Sequence, residues 1–398
     1  MSELPRAPWT ERSDLAGLVD ALGSDQVRWV GGAVRDTLLG AAVKDVDAAT
    51  TLQPAATMAA LERAGIRALP TGFDHGTVTA VLPGGNVEVT TLRHDVSTDG
   101  RRATVAFAAD WHEDAARRDF TINALYADPR TRKIFDYFGG LADLAERRVR
   151  FIGDARERIR EDHLRILRYY RFQTRFAGEL DAEAEEACAE LAPMLKGISR
   201  ERVAMELLNW LALPDPAPTA ARMADRGVLA VILPECSADG IVALAALVAE
   251  EKRQEVPPAA LRRLAALLPP DPRLAEQVAA RLRLSGAHRK HLIGVAERGS
   301  TPVGAQGDAR VLAYRVGRTV AIDRLLLAGQ SIAPLADWEA PRLPLKGGEI
   351  VARGIGAGPE VARTLREVEE RWANEGFPDR ERVLTILDMV LQSRADAR

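Results

Sequence analysis

Between Trp29 and Asp47 the chain reads WVGGAVRDTLLGAAVKDVD, and this stretch constrains the fold more than any other. Val27, Trp29 and Val30 form a short β-prone run that Gly31-Gly32 breaks. Val34, Thr37 and Leu38 then follow at helical spacing, with Gly40 placed to end the helix. A second extended run carries Asp45 and Asp47, whose side chains share one strand face while Val46 takes the other. Two carboxylates side by side repel unless a cation lies between them, and hard divalent cations such as Mg²⁺ take oxygen ligands of this type. The glycine pair upstream lets backbone approach a triphosphate at a helix start. Taken singly, each feature also has an ordinary reading, a turn and a solvated Asp-x-Asp loop.

The remaining composition narrows the choices. A chain of 398 residues with 47% hydrophobic content has room for two or three domains with packed cores. The start, MSELPRAPWTERSD, is polar and lacks a signal core, and no apolar run is long enough to span a membrane. Cys188 and Cys236 are far apart with no CxxC spacing, which indicates neither a zinc site nor a disulfide framework. A formal net charge of −3 means that any RNA surface must come from local clusters of arginine. The expectation is a soluble, cytoplasmic protein with no obligate protein partner evident.

Along the chain, helices are expected near residues 10–23 and over Pro54–Ala64. Thr77–Leu82, a Pro-Gly-Gly-Asn turn and Val87–Leu92 predict a β-hairpin on which Glu88 and Thr90 share a face. Glu88 is thereby a candidate third carboxylate or a solvated strand glutamate. Arg93–Asp114 reads as a long polar loop holding Asp99-Gly-Arg-Arg102 and a short Thr104–Phe107 run. RRDFTINA follows at Arg117–Ala124, with Asp119 suited to capping. EDHLRILRYYRF at Glu161–Phe172 places Asp162, Arg165, Arg168 and Arg171 at steps of three, along one helical stripe. Ser199 is suited to capping a further helix, Leu213-Pro-Asp-Pro-Ala-Pro marks a break, and the Ala/Leu/Arg-rich remainder predicts an all-α body. Near the end, KGGEI and GIGAGP form a glycine-rich segment at Lys346–Pro359, whose ordinary reading is a helix C-cap and turn before a helix started by Pro359.

In this order the glycine pair and Asp-x-Asp resemble the signature of the nucleotidyltransferase superfamily that includes DNA polymerase beta. GGAVRD, LLG and KDVDAAT, with RRDFTINAL and EDHLR, more narrowly resemble the bacterial tRNA nucleotidyltransferase (CCA-adding) and poly(A) polymerase family. The resemblance covers about residues 27–212 closely and the rest loosely; the tail has Glu349-Ile350 where the family's tail hairpin usually carries Asp-Leu. It implies an α+β protein: a nucleotidyltransferase head of mixed sheet and helices at residues 1–146, a helical neck reading the base at 147–212, and an all-α tRNA-binding body and tail at 213–398. Asp45 and Asp47 would hold two Mg²⁺ ions, with Glu88 beside them in catalysis. Gly31, Gly32, Arg35 and Arg118 would take the triphosphate, a guanidinium fork matching phosphate oxygens. Asp119 and Asn123 would hold the sugar and local geometry, and Asp36 would pair with arginine inside the fold. The Arg93–Asp114 loop matches the family's flexible loop, which takes part in switching nucleotide choice.

For Asp162 and Arg165 the resemblance implies base recognition, and the chemistry is derivable. Cytosine and adenine each show an exocyclic amino donor beside a ring-nitrogen acceptor, so a carboxylate can accept from one while a guanidinium donates to the other. Uracil and guanine present the reverse pattern and leave polar groups unpaired. Glu161 would orient Arg165, and Arg168 and Arg171 would face phosphates or the primer end. The implied reaction adds C, C and A from CTP and ATP to the 3′ end of tRNA, releasing pyrophosphate. The alternatives at this level are a poly(A) polymerase, a CC-adding or A-adding relative, and a non-catalytic RNA-binding module.

Overall fold

The computed structural model describes residues 3–98, 103–107, 110–176, 178–300 and 306–396. Two compact units divide the chain, Met1–Ile232 and Leu233–Arg398.

The first unit is built on a seven-stranded mixed sheet in the order β3-β4-β5-β2-β1-β8-β9. These strands are β1 (Val27–Val30), β2 (Val46–Thr50), β3 (Arg67–Gly72), β4 (Thr77–Val81), β5 (Val87–Thr91), β8 (Leu125–Ala127) and β9 (Ile134–Asp136). Only β2 and β5 run parallel; the other neighbours are antiparallel. Helices α1 (Ser13–Leu22), α2 (Gly32–Leu38) and α3 (Pro54–Arg63) lie among the first strands, with α2 packed on β1, β2 and β8 and α3 on β3, β4 and β5. Gly31 opens α2 with φ +70° and Gly40 closes it with φ +66°, a region open to glycine at no steric cost. In β2 every residue but Asp47 is buried, and in β5 only Glu88 is exposed. Alternating burial in β5 against the central strand β2 makes the two carboxylates stand out.

Within Arg93–Asp114, expected as a long polar loop, two described segments pair as strands. β6 (Arg93–Thr98) and β7 (Ala103–Phe107) form a separate antiparallel two-stranded sheet, followed by α4 (Trp111–Ala116). Strands can pair without apolar periodicity when the backbone ladder is closed locally, which is why the sequence pattern missed it. The Asp99–Arg102 motif lies outside the described residues.

α5 (Gly140–Ala145) leads out of the sheet, and the helical part continues through α6 (Ala155–Glu161), α7 (Arg165–Phe176), α8 (Ala182–Leu191), α9 (Arg200–Leu211), α10 (Ala217–Asp225) and α11 (Val228–Ile232). Phe120 of the head and Phe151 just after it meet Tyr169 and Phe172 of α7, with ring centroids 5.4 to 6.3 Å apart. Aromatic burial of this kind joins head to neck. The expected single helix through Asp162 is broken. Asp162 is extended (φ −149°, ψ 103°), its carbonyl accepts from Arg165 N (3.0 Å) and its Oδ1 from Leu164 N (3.2 Å). A short acidic side chain bonds readily to backbone N–H two residues on and so favours a turn over helix interior, and the charged stripe starts at Arg165.

The second unit is all-α among its described residues: α12 (Ala238–Arg253), α13 (Ala260–Leu267), α14 (Pro272–Arg281), α15 (Gly286–Ala296), α16 (Gln306–Val316), α17 (Arg318–Leu327), α18 (Gly347–Val351), α19 (Pro359–Asn374) and α20 (Arg380–Asp396). One core gathers Ile350, Val368, Trp372, Val383, Leu387 and Val390. The expected tail hairpin is not a hairpin. Glu349 accepts from Lys346 N (2.9 Å) and pairs with Arg380, so the first glycines open the short helix α18; Gly358 precedes Pro359 at the start of α19. No described helix is long and apolar enough to cross a membrane.

Candidate active site

Asp47 sits at the centre of the sheet, opposite Val30 on one side and Glu88 on the other. In-register pairing on parallel β2 and β5 puts Asp47 and Glu88 on the same face. Asp45, two residues back, shares that face at the entrance to β2. Burial, then Glu88, push Asp47 up to about 6; Arg118 opposes them and Asp45 adds to the rise. A half-buried carboxylate with two like-charged neighbours is a cation-seeking site. No three His, Cys, Asp or Glu side chains among the described residues close into a ready-made metal cage. Mg²⁺ does not need one, since it commonly binds one or two carboxylates and completes its shell with water and substrate phosphates. The donor set therefore fits Mg²⁺.

Arg118 is the cation whose charge opposes the rise at Asp47. Its Nε donates to Tyr126 Oη (3.0 Å) and its Nη2 to Asp114 Oδ2 (3.1 Å). A Cβ built on Gly31 would lie 3.8 Å from Arg118 Nη1, so the guanidinium lies beside the glycine turn. Gly31 itself donates its N–H to Leu125 O (3.2 Å). Asp45, Asp47, Glu88, Gly31 and Arg118 therefore belong to one locality.

A second group is chained rather than open. Arg35 is 5% exposed and gives Nη1 to Asn123 Oδ1 (2.5 Å) and Nε to Asp36 Oδ1 (2.8 Å). Burial pulls its pKa below the usual arginine value against the pull of Asp36. Gly32 lies against this side chain, with Nη2 3.8 Å from a built Cβ. Asn123 passes the chain to Asp119 (Nδ2 to Oδ1, 2.9 Å), and Asp119 Oδ2 accepts from Arg168 Nε (2.7 Å). Burial raises the Asp119 pKa, but Arg168 and Asn123 outweigh it and hold it at about 2. Arg35, expected to face phosphate, is thus turned inward. Asp36 pairs with Arg35 and Arg175 inside the fold, as expected.

The neck residues are also engaged. Arg165, 9% exposed, donates to Glu161 Oε2 (2.6 Å), Arg158 O (2.9 Å) and Arg117 O (2.9 Å). Glu161 orients Arg165, as the sequence suggested. Asp162 Oδ2 accepts from Arg202 Nη2 (2.7 Å), while Arg168 and Arg171 both meet Glu206 (3.5 and 2.7 Å). Instead of standing free toward a primer, the two arginines share a carboxylate that is 3% exposed. Sequence reading passed over Asp114, Tyr126, Arg202 and Glu206. Asp114 was findable, since it precedes Arg117 and Arg118 by three and four residues on a helical turn. Arg202 and Glu206 pair across 40 and 35 residues, for which no local signal exists.

Comparison with known proteins fits this geometry. Residues 27–150 match the family described as Poly A polymerase head domain, and residues 179–239 match the probable RNA and SrmB-binding site of polymerase A. Mitochondrial CCA tRNA nucleotidyltransferase 1 of Mus musculus is 36% identical over 373 residues, covering 88% of this chain and 84% of the mouse protein. The chain belongs to the CCA tRNA nucleotidyltransferase and poly(A) polymerase family. A member from Streptococcus pyogenes, a CCA-adding enzyme, is 42% identical over 188 residues, 47% of this chain and 46% of that protein. Among solved structures of the family, the Bacillus stearothermophilus CCA-adding enzyme in complex with CTP is similar with a TM-score of 0.76. Its identity is 26%, over 99% of this chain and 100% of that one.

Proposed function

We propose that this chain is a CCA-adding tRNA nucleotidyltransferase, which adds C, C and A to the tRNA 3′ end from CTP and ATP without a nucleic-acid template. Similarity to CCA tRNA nucleotidyltransferases along 88% of the chain supports the product. The observation that carries the chemistry is Asp47, held in register with Glu88 and pushed up to about 6 beside Arg118.

In this reading Asp45 and Asp47 hold two Mg²⁺ ions, with Glu88 alongside. When bound, the ions lower the pKa of the attacking 3′-hydroxyl and stabilise the charge on the leaving oxygen. The 3′-oxygen forms its bond to the α-phosphorus as the bond to pyrophosphate breaks, and the hydroxyl proton is lost to solvent. Arg118 meets the triphosphate, because two of its nitrogens are already fixed and the third lies at the Gly31 turn. Gly31 and Gly32 keep the backbone close to the phosphates. Arg35 acts one step back by holding Asn123, and Asn123 with Asp119 takes the sugar side.

Asp162 accepts from the exocyclic amine of C or A and Arg165 donates to the ring nitrogen. Both now spend their hydrogen bonds on Arg202, Glu161 and the Arg117 carbonyl, so docking a base exchanges protein partners for base edges. That exchange favours selectivity: a base of the wrong pattern breaks those bonds and replaces none. Residues 147–212 form the base-reading neck in this reading and residues 213–398 the tRNA-binding body, acting on tRNA in the cytoplasm with no obligate protein partner.

The test is incubation of the purified protein with Mg²⁺, CTP, ATP and tRNA ending at the discriminator base, read on a single-nucleotide gel. Growth by C, C and A followed by a stop is expected. A long adenosine ladder indifferent to CTP would make the protein a poly(A) polymerase, and a stop after two cytidines a partial-adding relative.

A further inference from the structure

Asp114, on α4, is 1% exposed, and both of its oxygens are occupied. Oδ1 accepts from Arg117 Nε (2.9 Å) and Nη2 (2.6 Å) and from the backbone N–H of Arg93 (3.3 Å), the first residue of β6. Oδ2 accepts from Tyr126 Oη (2.6 Å) and from Arg118 Nη2 (3.1 Å). Tyr126, itself fully buried on β8, lies opposite Val30, which lies opposite Asp47. The three groups form a closed triangle, since Arg118 Nε returns to the Tyr126 oxygen at 3.0 Å. A guanidinium tied at Nε and Nη2 cannot turn about its stem, and its remaining nitrogen, Nη1, is left beside Gly31. Charge points the same way. One carboxylate between two guanidiniums leaves a positive charge over, close enough to Asp47 to oppose the rise in its pKa.

We propose that Asp114 is a positioning residue of the nucleotide site: with Tyr126 it fixes Arg118 so that Nη1 faces the Gly31 turn, where a nucleoside triphosphate's phosphates dock. The same carboxylate pins the root of the β6–β7 hairpin through Arg93, so hairpin and phosphate contact share one anchor. The inference rests on the triphosphate reading of the Gly31 turn.

The test uses the full chain and four variants, D114N, Y126F, R118A and D114N/R118A. For each, CTP binding without tRNA is followed by calorimetry, and kcat and the KM values for CTP and tRNA by C addition. In D114N the Kd and KM for CTP are expected to rise about tenfold, with the KM for tRNA within about twofold of the parent. Adding D114N to R118A is expected to change CTP affinity by less than about twofold, because the carboxylate acts through that arginine. Y126F, which removes one corner of the triangle and keeps the charge pair, is expected to raise KM for CTP by about threefold. A folded D114N with parental CTP affinity overturns the proposal, as does an equal tenfold loss in the R118A background. Should D114N fail to fold, Y126F decides: a raised KM for CTP supports the proposal and a parental value overturns it. A parent that binds CTP but transfers nothing to tRNA would count against the function proposed above and leave the binding arms to judge Asp114.

Discussion

Glu251 and Asp323, both 2% exposed in the second unit, are each met by arginine. Arg262 bridges them at 2.6 and 2.7 Å, Arg263 adds a second contact to Glu251 at 2.7 Å, and His291 adds one to Asp323 at 2.8 Å. Asp47, half-buried in the sheet of the first unit, has Glu88 and Asp45 as neighbours and one opposing charge, Arg118. Both regions take carboxylates out of water, yet only one compensates them within the protein. Buried ions persist in a fold when paired, and a residue left under repulsion is held there by the stability of everything else. The contrast separates a framework from a site: α12, α13 and α17 use charge to fix packing, whereas β2 and β5 keep charge for something that arrives from outside.

The comparison can be broken most forcefully at Asp47. Asp45→Ala or Asp47→Ala is expected to lower the rate of C addition by about 10³-fold or more while the protein stays folded, measured by single-nucleotide gel and circular dichroism. Near-parental transfer by either variant would remove the catalytic reading. Arg262→Ala should do the reverse. It removes the bridge between two buried carboxylates, leaving Glu251 to Arg263 and Asp323 to His291, and is expected to cost about 3 kcal/mol in urea unfolding, with CTP affinity of the folded fraction unchanged. A loss under 1 kcal/mol, roughly the value of a surface pair, would show that this cluster is not a framework.

A smaller effect is expected from pH. The folded value of Asp47, about 6, exceeds its ordinary 3.8, so its contribution to stability is present below the ordinary value and is lost as pH rises through 6. In metal-free buffer the parent should lose up to about 3 kcal/mol from this group between pH 4 and 7, relative to Asp47→Asn. Comparing parent with variant cancels Asp119, whose depressed value acts with the opposite sign. Identical pH profiles for the two proteins would mean that burial and the neighbouring carboxylates do not raise Asp47. The smallest expected effect lies in the neck, where Asp162→Ala should raise misincorporation of U by about tenfold and leave folding intact. Equal misincorporation by variant and parent would sink base reading by Asp162.

Much of this was legible in the sequence, for a physical reason. The glycine break before Asp45-Val46-Asp47 and the alternation in Val87–Thr91 predicted the strands and left Glu88 as a candidate third carboxylate, whereas the register that pairs Asp47 with Glu88 is a long-range contact that only the folded sheet shows. The resemblance also implied the Glu161–Arg165 pair and the inward Asp36, which the structure shows. Three expectations failed where a short-range preference competed with periodicity. Steps of three at Asp162, Arg165, Arg168 and Arg171 look like one helix face, but Asp162 ends α6 in an extended conformation and α7 begins only at Arg165. Lys346–Pro359 looks like a glycine hairpin, but Glu349 closes a capping box and makes α18. Arg93–Phe107 lacks apolar alternation and still pairs as strands. Arg35, Arg168 and Arg171 are turned to partners because pairing across dozens of residues is settled by packing, which a one-dimensional pattern does not carry.

The most direct test of the contrast is a thermal melt of parent and Asp47→Asn, each in EDTA and then with Mg²⁺ plus CTP. Parent protein is expected to gain about 3 °C or more with Mg²⁺ and CTP, because the cation relieves the carboxylates. Asp47→Asn is expected to start higher in EDTA and gain little. An equal gain in both proteins, from the same starting point, would contradict the assignment of the uncompensated carboxylates to the cation.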